Sequence, residues 1–321
     1  MDLEAARSVV SRFAVRTPLV PAPALGPDVW LKLETDQTTG SFKVRGALAK
    51  LASLTPEQRK AGVVAASAGN HGLGVAFAAR ALGIEARVFV PRDAPLVKVR
   101  GMEERGAKVE VTLEAGYDQA EERARTAAAN TGEVFISPYD DPWVAAGNGG
   151  TLALEVLDQL PEIGSFVFPV GGGGLLAGIA EALRSTGRTA DLVGVQSEAS
   201  PAMTRSLEDG RAHETWDPAA TFAEGLEGGV AAASVARARA SGVRMALVSE
   251  AAIADAMRFA HARLGLRLEG SGAVPIAHQR SHPEASPTVL ILTGSNVDDR
   301  VWRAVLGGVS DPQALFASPP S

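Results

Sequence analysis

The chain has no cysteine, which excludes disulfides, thiolate nucleophiles and Cys-ligated metals. It has no block of basic residues and a net charge of −6, so neither nucleic acid nor an anionic membrane is expected as a partner. No stretch approaches the ~18 uninterrupted apolar residues of a membrane-spanning helix. The opening residues, Met1-Asp2-Leu3-Glu4, lack the basic and apolar segments of a signal peptide. A cytoplasmic protein is the expectation. His278 and His282 are four apart, but Pro283 follows and no third ligand lies near, so no metal site is expected. No Gly-x-Ser-x-Gly signature opens a helix, so a Ser-His-Asp hydrolase is not indicated.

What is present is a chain of 321 residues, 46% apolar and 21% charged, with ample length for a packed core. Short apolar runs at Trp30–Glu34, Gly62–Ala66, Ala86–Pro91, Lys108–Val111 and Val134–Ile136 read as strands. Helical stretches separate them, at Ala47–Leu54, Gly74–Leu82, Leu96–Arg105 and Tyr117–Asn130. The second half repeats the theme, with strands at Phe166–Val170, Leu192–Val195, Met245–Val248 and Val289–Leu292. Helices are expected there at Gly150–Leu160, Leu175–Ser185 and Ser249–Leu264, with an irregular stretch over Ala199–Ala233. This alternation predicts an α/β fold of two open parallel-sheet lobes with a cleft between them.

One lysine stands out. Lys43, in Gly40-Ser41-Phe42-Lys43-Val44-Arg45-Gly46, falls where a helix should begin, with Ser41 as a candidate N-cap. A cation opposes the positive end of a helix dipole, so this is a poor place for a structural lysine. It suits a lysine that must be neutral to react, because burial and a nearby positive end both lower an ammonium pKa. The ordinary alternative is a solvated lysine on a helix surface.

Several strand ends run into polar or glycine-rich loops, where ligands bind in open α/β sheets. Gly171, Gly172, Gly173 and Gly174 precede a helix and can bring backbone N–H groups against a phosphate. The same loop fits a relaxed dinucleotide pattern, Gly172-x-Gly174-x-x-Ala177, with Glu198 at about the distance of a ribose ligand. Ser67-Ala68-Gly69-Asn70-His71-Gly72 is a second loop at a helix start, with Asn70 and His71 facing the cleft, and could hold a carboxylate. Alternatively, Asn70 is simply an N-cap. Thr293 to Asn296 form a third polar turn. A reactive lysine, a phosphate loop and a carboxylate loop together suggest pyridoxal phosphate.

These segments resemble, in order and spacing, the motifs of fold type II pyridoxal-phosphate enzymes, in particular the threonine/serine dehydratase and serine racemase branch. The resemblance rests on the Lys43 stretch, Ser67–Gly72, the tetraglycine loop and Thr293-Gly294-Ser295-Asn296-Val297-Asp298, and spans nearly the whole chain. It implies a tryptophan synthase beta-like fold with the cofactor in the cleft. Residues 1–54 and 144–321 would form a large cofactor-binding domain, with 55–143 a small inserted α/β domain. It also implies that Lys43 carries the cofactor and acts as general base, and that Phe42 packs near its ring. Gly171 to Gly174 and Leu175 would bind the phosphate, Asn70 the ring hydroxyl, and Ser67, Ala68, Gly69, Asn70 and His71 the substrate carboxylate. Gly225 would lie over the other ring face. Thr293 would face the pyridine nitrogen as a neutral partner, which favours elimination over reactions that need a long-lived carbanion.

The implied reaction is loss of water from L-threonine or L-serine, giving 2-oxobutanoate or pyruvate and ammonia, with the cofactor phosphate as proton donor to the leaving hydroxyl. The substrate partner is a small amino acid, and a homodimer is expected. Departures from the pattern refine the expectation. Ala68 stands where serine racemases of the family carry an acid/base serine, so racemisation is disfavoured. Gln196 and Ala202 stand where some members hold a divalent cation, so no metal is expected. Glu224 replaces a more usual Asp, and Asn148-Gly149-Gly150 is one residue longer than the family's turn. The chain ends soon after Asn296, so no regulatory domain or isoleucine feedback is expected. Within the family, a hydroxyaspartate or other β-substituted amino-acid lyase, a synthase or a racemase remains an alternative. Outside it, the alternatives are a nicotinamide-dependent oxidoreductase using the Gly172 loop and a catalytically silent binding relative.

Overall fold

The computed structural model describes residues 1–316 except 93, 95, 114, 115, 218, 285 and 286. The strands are β1 (Leu19–Pro21), β2 (Val29–Leu33), β3 (Val63–Ala66), β4 (Ala86–Val90), β5 (Lys108–Val111), β6 (Val134–Phe135), β7 (Ser165–Pro169), β8 (Asp191–Ser197), β9 (Arg244–Val248) and β10 (Thr288–Leu292). Among the described residues they build two sheets. One has the order β1-β2-β10-β7-β8-β9 and the other β5-β4-β3-β6. All pairings are parallel except β1 with β2. The two parallel-rich α/β sheets are the expected fold class. β1 lies in a Pro-rich stretch, and an edge strand tolerates prolines because their missing N–H is not needed there.

Side-chain alternation explains the layering. Leu290 and Leu292 of β10 pack on one face of the six-stranded sheet, with Val167, Val193 and helices Glu250–Leu264 and Gly270–Ser281. Val289 and Ile291 pack on the other, with Phe166, Phe168 and helices Leu152–Gln159 and Gly174–Thr186. Both faces of the central strands are covered, as parallel sheets require. In the smaller sheet Val63 and Ala65 face one cluster, Val64 and Ala66 another.

The sequence reading misses two features here for physical reasons. Helix Leu152–Gln159 covers the face of β2 that carries Lys32, and Lys32 is fully buried. Its ammonium donates to Glu155 at 2.7 Å, the Thr17 carbonyl at 2.8 Å and Gln159 at 3.0 Å. Beside it, buried Arg45 grips both oxygens of buried Glu34 at 2.8 Å and reaches Glu155 at 2.7 Å. Arg45 lies two residues beyond Lys43, so this ion network fixes the start of the helix that carries Lys43. The second failure is helix Gly270–Ser281, unanticipated because Gly270, Gly272 and Pro275 all weaken helices. Burial against the sheet overrides that propensity.

The Asn148-Gly149-Gly150 segment is not a turn. Residues Ala146–Thr151 form a π-helical turn inside one continuous helix from Pro142 to Gln159, which absorbs an extra residue without ending the helix. The glycines there permit close approach. A Cβ on Gly149 would lie 2.1 Å from the Leu175 carbonyl, and one on Gly147 2.4 Å from the Arg45 carbonyl. The π-turn is thereby wedged between the Lys43 helix and the helix that follows the tetraglycine loop.

Candidate active site

Lys43 is the first residue of helix Lys43–Ala52. Ser41 does not cap it. The N-cap position is Phe42, without a side-chain capping bond, and Ser41 Oγ is buried with no hydrogen-bond partner. Asn148 substitutes from the π-turn, its Oδ1 accepting from the Gly46 N–H at 2.8 Å. The Phe42 N–H donates to the Thr293 carbonyl at 3.1 Å, which seats the Lys43 stretch on the end of β10. The Lys43 amine lies 5.3 Å from the centre of the Phe42 ring and donates to the Pro138 carbonyl at 3.1 Å. Burial lowers its pKa to about 8, with Glu269 as an opposing negative charge. The amine is therefore half neutral at about pH 8, well below the ordinary lysine range.

The Ser67 loop is held against this lysine by a glycine. A Cβ on Gly74 would lie 3.1 Å from the Lys43 carbonyl, so helix Asn70–Leu82 packs backbone to backbone on the lysine's own helix. That helix begins at Asn70, four residues earlier than its sequence suggests, with Gly69 at the N-cap position. Ser67 Oγ accepts from the Gly69 N–H at 3.0 Å and shapes the loop. The N–H groups of the first helical turn have no intrahelical partners and form a carboxylate cradle. A Cβ on Gly69 would meet nothing within 4 Å, so the loop faces open space there.

The His71 side chain does not face the cleft. It is buried with Nε2 at 3.0 Å from the Ile136 carbonyl, and burial, with the Lys43 charge, lowers its pKa to about 3. The ring is thus neutral and donates from Nε2. Nor is Asn70 a cap. Its Nδ2 donates to both carboxylate oxygens of Glu269, at 2.8 and 2.9 Å, and its Oδ1 accepts from Asn296 Nδ2 at 2.7 Å.

The tetraglycine loop closes the other side. Gly173 has φ +89°, a conformation glycine adopts freely, and the helix Gly174–Thr186 starts directly after it, with Leu175 in its first turn. A Cβ on Gly172 would lie 2.3 Å from the Tyr139 ring, and one on Gly171 would lie 3.1 Å from the Gly225 carbonyl. Gly225 donates its N–H to Ser271 Oγ at 3.0 Å. The structure therefore gathers Phe42, Lys43, Ser67 to His71, Gly171 to Leu175, Gly225 and Thr293 around one cleft. Gln196 has its Oε1 occupied by the Thr204 N–H and hydroxyl at 2.9 and 3.0 Å.

A family model described as pyridoxal-phosphate dependent enzyme matches residues 10–294. The chain belongs to the pyridoxal-phosphate dependent enzymes. An L-threonine ammonia-lyase from Thermotoga maritima is 39% identical over 298 residues, 91% of this chain and 73% of that one. The solved threonine deaminase isoform 2 from Solanum lycopersicum superposes with a TM-score of 0.89 at 31% identity, covering 96% of this chain and 92% of that one. Maize serine racemase gives 0.88 at 28% identity, covering 95% and 96%.

The cleft suits the cofactor of a pyridoxal-phosphate dependent enzyme on its own geometry. Glycines at 171 and 172 let the loop backbone pack closely on Gly225 and the Tyr139 ring, and a helix start with unpaired N–H groups follows the loop directly. An amine that is half neutral at about pH 8 is linked through Pro138 to the Tyr139 ring that covers Gly172.

Sequence reasoning missed three contributors. Pro138 and Tyr139 link the lysine to the glycine loop. Lys98 pairs with Glu224 at 3.5 Å across the cleft. Glu269 precedes the unanticipated helix, and its only sequence signal is an acidic residue before the small-residue run Gly270-Ser271-Gly272.

Proposed function

We propose that this enzyme eliminates water from L-threonine, and from L-serine, to give the 2-oxo acid and ammonia. The observation that carries the reading is the Lys43 amine, its pKa brought to about 8 by burial, between a phosphate-type glycine loop and a carboxylate-type helix start. The 39% identity to an L-threonine ammonia-lyase supports the substrate assignment. When bound, pyridoxal phosphate supplies the electron sink that makes the substrate α-proton removable.

The protein's own residues do the rest. Lys43 Nζ anchors the cofactor and then takes the α-proton as general base, which its lowered pKa permits near neutral pH. Gly171 to Leu175 hold the phosphate through N–H groups. Ser67 to His71 hold the substrate carboxylate, His71 contributing backbone and not its ring. With the cofactor bound, Asn70 would meet the ring oxygen, Phe42 and Gly225 would line the ring, and the Thr293 hydroxyl would partner the ring nitrogen. Ala68 offers no second proton-transfer group, which supports elimination over racemisation.

A substrate with a neutral side chain fits better than hydroxyaspartate, because Lys98, a cation that could meet a second substrate carboxylate, is already engaged by Glu224 at 3.5 Å. We assign residues 1–54 and 144–321 to the cofactor-carrying domain and 55–143 to the inserted one. A homodimer acting in the cytoplasm completes the reading, and size-exclusion chromatography tests the dimer.

The decisive experiment is incubation of the purified protein with L-threonine, L-serine and hydroxyaspartate while 2-oxo acid is measured. The expected order is threonine and serine turned over, hydroxyaspartate not. A colourless protein that releases no 2-oxo acid after loading with pyridoxal phosphate would overturn the assignment.

A further inference from the structure

Glu269 is a half-buried carboxylate near enough to Lys43 for its charge to be felt there, and local structure does not account for it. It occupies the N-cap position of helix Gly270–Ser281 yet makes no side-chain capping bond there. The carboxylate instead leaves its own helix and receives the Asn70 amide from the opposite lobe, through both oxygens. The fold makes room for it. A Cβ on Gly294 would lie 2.5 Å from Glu269 Oε1, so the turn after β10 must carry a glycine, and the Gly294 carbonyl accepts the Glu269 N–H at 3.2 Å.

The chemistry of the partners gives the contact a direction. Asn296 Nδ2 donates to the Thr39 carbonyl at 2.8 Å and to Asn70 Oδ1 at 2.7 Å, and Asn70 Nδ2 donates to Glu269. The Thr39 carbonyl, a pure acceptor, sets the nitrogen of Asn296 and through it the oxygen of Asn70, which leaves the nitrogen of Asn70 on the Glu269 side. Burial raises the pKa of Glu269, and both of its oxygens lie within hydrogen-bond reach of that nitrogen, at 2.8 and 2.9 Å.

We propose that Glu269 is a positioning residue that acts through Asn70, holding its amide nitrogen between two carboxyl oxygens and so fixing the Asn70 side chain at the cofactor cleft. The inference rests on the reading of this cleft as the pyridoxal-phosphate site. Glu269→Gln puts an amide nitrogen, which cannot accept, in place of one of those two oxygens. It loosens the hold on Asn70 while nearly preserving volume.

The test is titration of cofactor-free protein with pyridoxal phosphate, followed by the visible absorbance of the complex, for wild type, E269Q, N70A and the double variant. E269Q alone should weaken retention about tenfold, the scale of one lost hydrogen bond. It should also displace the visible band as N70A does. In the N70A background E269Q should add nothing further. Wild-type-like retention by E269Q, or independent effects that multiply in the double variant, would overturn the role of Glu269. A wild-type protein that forms no coloured complex would instead overturn the reading of the cleft. If E269Q does not fold, E269D, one methylene too short to reach Asn70, carries the same test with the same expected losses.

Discussion

The Pro138 carbonyl accepts a hydrogen bond from Lys43 Nζ at 3.1 Å, and the next residue, Tyr139, lays its ring on Gly172. One dipeptide therefore touches both the reactive amine and the loop assigned to the phosphate. Asp140 and Asp141, which follow, are pinned to Arg237 at 2.8 Å and Lys50 at 2.6 Å. The segment is a rigid spacer that sets how far the amine stands from the glycines.

Lys43→Ala should abolish covalent retention of the cofactor and lower 2-oxo acid release by about 10³-fold or more, combining loss of the anchor with loss of the general base. Borohydride treatment and peptide mapping of the wild type should tag Lys43. A variant that turns over at the wild-type rate would remove Lys43 from the mechanism.

The same amine predicts a pH dependence of reconstitution. Only the neutral form attacks a carbonyl, and the lowered pKa means that the neutral fraction rises with pH about a midpoint near 8 instead of the ordinary 10.5. Stopped-flow mixing of cofactor-free protein with pyridoxal phosphate should give a rate that climbs through pH 8 and then levels off. A rate that keeps climbing towards the ordinary lysine pKa would contradict the burial argument.

Arg45→Met should destabilise the fold by about 3–5 kcal/mol, because Glu34 would keep a buried charge without its bidentate partner. Urea denaturation measures this directly. Cofactor loading should fall as well, since Arg45 fixes the first turn of the Lys43 helix.

Glycine variants should separate packing from function. Gly149→Ala sets a methyl group 2.1 Å from a backbone carbonyl and should prevent folding. Gly69→Ala projects into open space and should fold normally, with a raised KM for L-threonine as the carboxylate cradle is crowded. Circular dichroism and steady-state kinetics distinguish the two.

Ala68→Ser restores a hydroxyl on the loop beside the lysine. It should yield measurable D-serine from L-serine, detected by chiral chromatography, while elimination persists. An absence of D-serine would show that a hydroxyl at this position is not enough for racemisation here.

The strand–helix alternation and the four loops were legible in the sequence because each is local. Continuous apolar runs such as Val63–Ala66 announce buried strands, and four successive glycines announce a close approach. Lys32, Glu269 and Asn148 were not legible, because the role of each depends on a partner far along the chain: Lys32 on Glu155, Glu269 on Asn70 and Asn148 on Gly46. Ser41 looked like a cap by local rule, and a distant side chain took the position. Helix Gly270–Ser281 was hidden by residues that oppose helices locally and are tolerated because both sides are packed.

The cap on the Lys43 helix also bears on the order of assembly. Gly46 and Asn148 are 102 positions apart, and the intervening chain contains the entire four-stranded sheet. Closing so long a loop is slow and entropically costly, so this bond belongs to the late steps of folding. The reactive lysine is thus set at its helix start only after the smaller sheet has formed and returned the chain. Nascent or partly folded molecules then display a solvated lysine with an ordinary pKa, and the ability to capture an aldehyde at neutral pH appears with the finished fold.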